Sequence, residues 1–181
     1  MQRRIFIGIE LPQQARKQLI QATEKWQNLP VKWGRIENMH ATLLFLGYID
    51  DEMIPEICDK IRKGCQKSDI FDINFEKIVL GPDAKRARMF WLEGNPSEKL
   101  KQLKNNIGEE LGIFQRENKA ICPHITLGRI KRIAWKKLPK VPAIDEELSL
   151  SIPVESVQIF ESLIEEGKRK FIVLESCPLS Y

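Results

Sequence analysis

The phrase His-x-Thr-Leu occurs twice in this chain, as His40-Ala41-Thr42-Leu43 and as His124-Ile125-Thr126-Leu127, and these two histidines are the only ones present. Each phrase sits in an apolar, strand-like run: residues 40–47 read HATLLFLG and residues 123–130 read PHITLGRI. Successive side chains of a strand point to opposite faces. His40 and Thr42 therefore share one face while Ala41 and Leu43 anchor the other. His124 and Thr126 stand in the same relation to Ile125 and Leu127. Any fold for this chain has to accommodate two strands of like design, each setting an imidazole beside a hydroxyl with apolar residues behind.

The flanking pattern extends this duplication. Residues 4–11 (RIFIGIEL) read as a strand. Pro12 falls where a first helical turn tolerates it, and Ala15, Leu19, Ala22 and Trp26 follow at helical spacing. Val31-Lys32-Trp33 suits a short strand, and Gly47 is expected to close the HATL strand. Asp50 is expected to cap a second helix with its stripe at Ile54, Ile57, Ile61 and Cys65 and with Gly64 near its end. Strands are expected at 71–80 and 87–92, joined through Gly81-Pro82-Asp83. Asn95-Pro96-Ser97-Glu98 predicts a helix start with Asn95 as cap, its buried face at Leu100, Leu103, Ile107 and Leu111 and its stop at Gly112. The proline-interrupted stretch 133–150 reads as a short helix and loop. Residues 153–162 and 170–177 read as a closing hairpin that turns at Glu166-Gly167. Strand–helix–strand around HATL and helix–strand around HITL form a weak internal repeat with no linker between them. The fold class expected is α+β, one domain over 1–181 made of two similar, interleaved lobes, each contributing one histidine strand.

Composition narrows the function classes. A chain of 181 residues makes one ordinary domain, and a net charge of +4 permits an anionic partner without demanding one. Basic residues gather weakly at Lys85, Arg86 and Arg88, at Arg129 through Lys140, and at Lys168-Arg169-Lys170. The four cysteines (Cys58, Cys65, Cys122 and Cys177) have no CxxC spacing and read as thiols of a cytosolic protein, so a cytoplasmic location is expected. The apolar run after Arg3-Arg4 stops at Pro12, too early for a signal peptide, and no run approaches the ~20 apolar residues of a membrane span. Nothing signals self-association, so a monomer is expected.

Histidine accepts and donates protons near neutrality. Two imidazoles flanking a small cavity floored by two threonine hydroxyls suit a phosphodiester: one ring acts as base on the entering oxygen, the other as acid on the departing one, and the hydroxyls hold the nonbridging oxygens. Such chemistry needs no metal and no cofactor, and two histidines alone make a poor zinc site. Cys122, two residues before His124, is a conceivable nucleophile, but no third group orients it. Trp33, Phe45, Phe90 and Trp91 could stack a base, although core burial is the expectation for each. Arg129 falls by alternation on the face opposite His124.

These residues resemble the two-histidine (2H) phosphoesterase superfamily, whose signature is H-x-[TS]-hydrophobic in two copies, and within it the RNA 2′,3′-cyclic phosphodiesterases, historically called 2′-5′ RNA ligases. The opening RRIFIGIELPQQARKQL is similar to the family's strand, Leu-Pro and helix. Trp33 with Glu37-Asn38-Met39-His40 resembles its W-x-x-x-x-N-x-H-x-T-L-x-F-L-G run. Ile121 to Arg129 resembles its P-H-[IVL]-T-[LI]-x-R, and Val157 to Ser162 its V-x-L-[FY]-x-S strand. The resemblance implies a bilobal α+β fold of pseudo-twofold-related antiparallel lobes, with helices outside and a central groove. It implies metal-independent hydrolysis of RNA 2′,3′-cyclic phosphate ends to 2′-phosphates, with reversible 2′-5′ ligation as a further activity. His40 would donate the proton to O3′, His124 would activate water, and Thr42, Thr126 and Arg129 would bind phosphate. The partner would be such an RNA end or a cyclic nucleotide. The family's Phe-Pro-[RK] approach to the second lobe is replaced here by Gly81 to Arg88, which bears on substrate contacts. Alternatives are a phosphoesterase of small cyclic phosphates or 2′,5′-oligonucleotides, and a non-catalytic module that binds RNA ends.

Overall fold

In the computed structural model, which describes residues 1–113 and 116–181, the apolar start of the chain forms β1 (Gln2–Glu10). Its centre, Ile5 to Ile9, is buried on both faces, as befits a strand paired on both edges and covered on both sides. Helix α1 (Gln13–Thr23) follows, with Pro12 at the cap rather than inside the first turn, and Trp26 lies in a 3₁₀ turn beyond the helix. Next come β2 (Val31–Trp33), β3 (His40–Asp50) and α2 (Ile54–Cys65). Then follow β4 (Phe71–Gly81), β5 (Met89–Gly94), α3 (Glu98–Leu111), β6 (His124–Ile130) and the short α4 (Arg132–Lys136). The chain ends with β7 (Asp145–Val154), β8 (Ser156–Glu165) and β9 (Lys168–Pro178).

Among the described residues all nine strands join one sheet in the order β7-β4-β5-β6-β3-β1-β8-β9, with β2 beside β6. Each named pairing is antiparallel. The two histidine strands, β3 and β6, are central neighbours, so β1, β8 and β9 extend one wing and β5, β4 and β7 the other. The last two strands return to the wing that the first strand began, which interleaves the halves along the chain. Residues behind the histidine motifs (Ala41, Leu43, Ile125 and Leu127) are buried in one apolar cluster with Leu19, Ile61, Leu103 and Ile107 of the helices. The helices therefore cover the face of the sheet opposite the imidazoles.

Several local expectations shift. Strand β3 runs past Gly47 to Asp50. Asp50 starts a 3₁₀ turn and makes no side-chain cap bond. The cap of α3 is Ser97, whose Oγ accepts from Leu100 N at 3.1 Å, and not Asn95. The stretch 133–150 holds most of α4 and the first part of β7 rather than a helix and loop alone. Pro153, expected to open the strand at 153–162, falls inside β7 instead. It is tolerated because β7 lies at the sheet edge, where a residue on the open side needs no ladder donor. The closing hairpin turns at Glu166 and Gly167, both at positive φ, as its sequence signals.

Gly64 lies near the end of α2 as expected, and it also has a packing role. A Cβ built there would lie 2.7 Å from Ile107 Cα, so Gly64 is the crossing point of α2 and α3. In an open helix, glycine to alanine adds about 1 kcal/mol of stability. Here the clash with backbone outweighs that gain, and overpacking costs about 1–3 kcal/mol. Gly64→Ala is expected to lower the urea midpoint of unfolding, and a midpoint raised above wild type would contradict this crossing.

Candidate active site

The strands β3 and β6 meet at a single recorded pair, Ala41 with Ile125. Carried one residue either way, that antiparallel register sets His40 across from Thr126 and Thr42 across from His124. Each imidazole thus faces the hydroxyl of the other motif. Beyond this joint the strands part, β3 along β1 and β6 along β5 and β2. A groove of about 650 Å³ opens over the joint, and its lining includes His40, Thr42, His124, Thr126 and Arg129.

Both strands carry the same irregularity at the last residue of the motif. On β3, Thr42 pairs with Gly8 and Leu44 with Ile7, which leaves Leu43 as an extra residue. On β6, Thr126 pairs with Trp91 and Gly128 with Phe90, which leaves Leu127 extra. One inserted residue reverses the alternation that follows it. The fifth residue after each histidine is therefore turned to the histidine's side. Arg129 lines the groove rather than facing the opposite side, and Phe45, 69% exposed, lines it rather than joining the core. Phe90 is fully buried as expected, whereas Trp33 lines the groove and Trp91 stacks on His124 with ring centroids 4.1 Å apart. Gly128 leaves no ligand space of its own, since a Cβ there would meet Val31 Cγ1 at 2.6 Å.

The two imidazoles occupy unlike surroundings. His40 packs against Phe6, Phe160 and Phe171, with centroids 4.8, 5.6 and 5.1 Å away. Gly8 makes room for this packing, because a Cβ there would stand 3.3 Å from both the His40 and Phe160 rings. His40 Nδ1 lies 2.7 Å from the Asn38 carbonyl and Nε2 lies 2.9 Å from Thr42 Oγ1. A carbonyl only accepts, so the neutral ring carries its proton on Nδ1 and accepts from the Thr42 hydroxyl at Nε2. Burial lowers the His40 pKa below its ordinary value; the Asn38 carbonyl opposes this, while the charges of His124 and Arg16 add to it. Burial likewise lowers His124, opposed by Glu93, its cross-strand partner. The Thr126 hydroxyl has only a 4.0 Å approach to Met89 Sδ, which leaves it available to a ligand oxygen.

The lining carries Arg4, Lys32, Arg35, Arg129, Lys168 and Arg169 and no Asp or Glu. Among the described residues none of these six is paired with a carboxylate, although ion pairs are frequent elsewhere on the surface. Arg4, Lys32, Arg35 and Asn38 were not singled out from sequence as site residues. For Arg4 and Lys32 the signal was strand neighbourhood, since β1 borders β3 and β2 borders β6, and for Asn38 it was the N-x-H spacing ahead of His40. Of the basic clusters, Arg129, Lys168 and Arg169 reach the groove, while Lys85, Arg86 and Arg88 stay on an exposed turn outside its lining. Cys122 is exposed and also outside it.

This arrangement can be set beside known proteins. The family model described as LigT like Phosphoesterase matches residues 9–91 and again 92–166, one copy around each histidine. The chain belongs to this family. Relatives of the LigT-like phosphoesterase include an RNA 2′,3′-cyclic phosphodiesterase of Thermotoga maritima, 29% identical over 96% of this chain and 94% of its own. Another, of Methanocaldococcus jannaschii, is 29% identical over 74% of this chain and 75% of its own. Among solved structures, a protein of Thermus thermophilus superposes with TM-score 0.80 at 23% identity, covering 97% of each chain. E. coli LigT complexed with 3′-AMP superposes at 0.78 with 22% identity over 100% of both. These likenesses establish the two-lobed fold. No helix among the described residues is long and apolar enough to cross a membrane.

Because both histidines have folded pKa values below the ~6.5 of an unfolded chain, the unfolded state binds more protons than the folded state once the pH falls below that value. Stability from these groups is complete above pH ~6.5 and is lost as pH falls through the folded values. Proton NMR titration should give both imidazole midpoints below 6.5. A midpoint above 6.5 for either ring would contradict the burial described.

Proposed function

We propose that this LigT-like phosphoesterase hydrolyses RNA ends that carry a 2′,3′-cyclic phosphate, leaving a 2′-phosphate. The observation that carries this is the crossed pairing at the β3–β6 joint, which brings two imidazoles and two hydroxyls to one groove. His124 takes a proton from water as the water oxygen attacks phosphorus. The P–O3′ bond breaks, and protonated His40 delivers its Nε2 proton to O3′. The proton on Nδ1 stays with the Asn38 carbonyl, so His40 ends in the neutral tautomer that its hydrogen bonds favour. Thr42, Thr126 and Arg129 hold the phosphate oxygens as charge builds on them. The step uses protons alone, and no metal enters it. Run in the same direction with a 5′-hydroxyl attacking in place of water, the same groups would form a 2′-5′ linkage as the P–O3′ bond breaks.

A polymeric substrate is supported by the six groove cations that have no carboxylate partner among the described residues, more positive charge than a single cyclic phosphate requires. With a short RNA bearing a cyclic end, log KM should rise with log salt at a slope of ~0.7 for each phosphate held. A slope no steeper than that for a mononucleoside cyclic phosphate would favour a small substrate instead.

His40→Ala and His124→Ala are each expected to lower kcat on the cyclic substrate by about 10²–10⁴-fold while the fold survives. Full turnover in either variant would exclude the acid–base pair, and RNA binding without any turnover in the wild type would mark a binding module. Since both histidines lie below their ordinary value, the fraction with one ring charged declines as pH rises past ~6.5. The kcat/KM profile should therefore peak on the acidic side of 6.5 and fall toward pH 8. A peak near pH 8 would contradict the shifts.

A further inference from the structure

Asn38 makes two bonds in opposite directions. Its main-chain carbonyl accepts from His40 Nδ1 at 2.7 Å, and its side-chain Nδ2 donates to the main-chain carbonyl of Arg169 at 3.0 Å. Arg169 belongs to the β8–β9 hairpin, which also supplies Phe160 and Phe171, two of the three rings around His40. Arg169 is further fixed by Nη1 donating to Ser162 Oγ at 2.6 Å, across the same hairpin. Asn38 itself lies in a 3₁₀ turn, Ile36–Asn38, that closes through Asn38 N to Arg35 O and Met39 N to Ile36 O. Nothing else in that turn crosses to β9 through a recorded side-chain bond.

We propose that Asn38 is a positioning residue: its side-chain amide clamps the β8–β9 hairpin over His40 and, by fixing the aim of its own carbonyl, sets which ring nitrogen of His40 holds the proton. Asn suits the task because the amide donates to a carbonyl without adding charge beside an imidazole that must itself become a cation. The main-chain carbonyl is present whatever the side chain, but its direction follows the local backbone, which the Arg169 bond pins from outside the turn. Among the described residues no side-chain hydrogen bond of this kind holds His124. It rests on Trp91 of the neighbouring strand and is oriented by the sheet. The clamp also links chemistry to binding, since Lys168 and Arg169, cations of the groove wall, sit on the hairpin that it holds.

The proposal rests on His40 being the acid of the proposed reaction, and its test separates the two. With two histidines in the chain, a long-range proton–nitrogen NMR spectrum above pH 8 resolves the tautomer of each ring without any substrate. Wild type should show His40 protonated at Nδ1. Asn38→Ala should move a measurable fraction of that proton to Nε2, leave the His124 signals unchanged, and lower kcat about 10- to 100-fold with KM altered less than about threefold. Asn38→Asp, equal in shape but without the donor at that position, should shift the tautomer in the same direction, which keeps the test open if the alanine variant folds poorly. Variants that keep the wild-type tautomer and the wild-type kcat per folded molecule, and lose only melting temperature, would reduce Asn38 to a structural residue and overturn the proposal. An inactive wild type with the expected tautomers would instead overturn the activity and leave the clamp standing.

Discussion

One backbone contact, Ala41 against Ile125, joins the strands that carry both histidines, and the rest of the site follows from it. Because the pairing is antiparallel and centred between histidine and threonine in each motif, it crosses the two motifs, imidazole opposite hydroxyl. Because it is confined to that joint, the strands diverge and leave a groove. The bulges at Leu43 and Leu127 then aim Phe45 and Arg129 into the opening, an aromatic ring on one wing and a guanidinium on the other. The apparent symmetry of the chain is thus a symmetry of backbone, decorated with different chemistry.

That difference extends to the imidazoles. His40 stands among three phenylalanines and is held at both nitrogens, while His124 lies flat on one indole with a glutamate across the strand. Desolvation acts on both, and a carbonyl opposes it at one ring and a carboxylate at the other. A matched pair of histidines in sequence therefore becomes an unmatched pair in space.

Charge tells a similar story at larger scale. Lysine plus arginine exceeds aspartate plus glutamate only slightly, 29 against 25, so no polyanion partner is announced by composition. The imbalance is instead spatial: carboxylates pair with cations over much of the surface and are missing from the groove lining. Low-dielectric walls with cations of one sign concentrate the field where an anion would enter.

What the sequence by itself determined are the features set within a few residues. The imidazole–hydroxyl face of each motif follows from the period of two, the stripes of α1 and α3 from the period near 3.6, and the closing turn from Glu166-Gly167. Ser97 capped α3 where Asn95 was expected, a local choice between two good capping residues. Tertiary structure decided everything that depends on which strands become neighbours. Alternation alone set Arg129 on the wrong face and Phe45 in the core, because a bulge exists only relative to a partner strand. The strand expected at 153–162 is divided between the end of β7 and β8, and Pro153 is tolerated in β7 because that strand lies at the edge of the whole sheet. Arg4, Lys32 and Arg35 carry no motif that marks them as site residues, and Asn38 is marked only by its N-x-H spacing ahead of the first histidine. They reach the groove because register brings β1, β2 and the β8–β9 hairpin against the histidine strands, and long-range pairing of that kind is written in no single stretch of the chain.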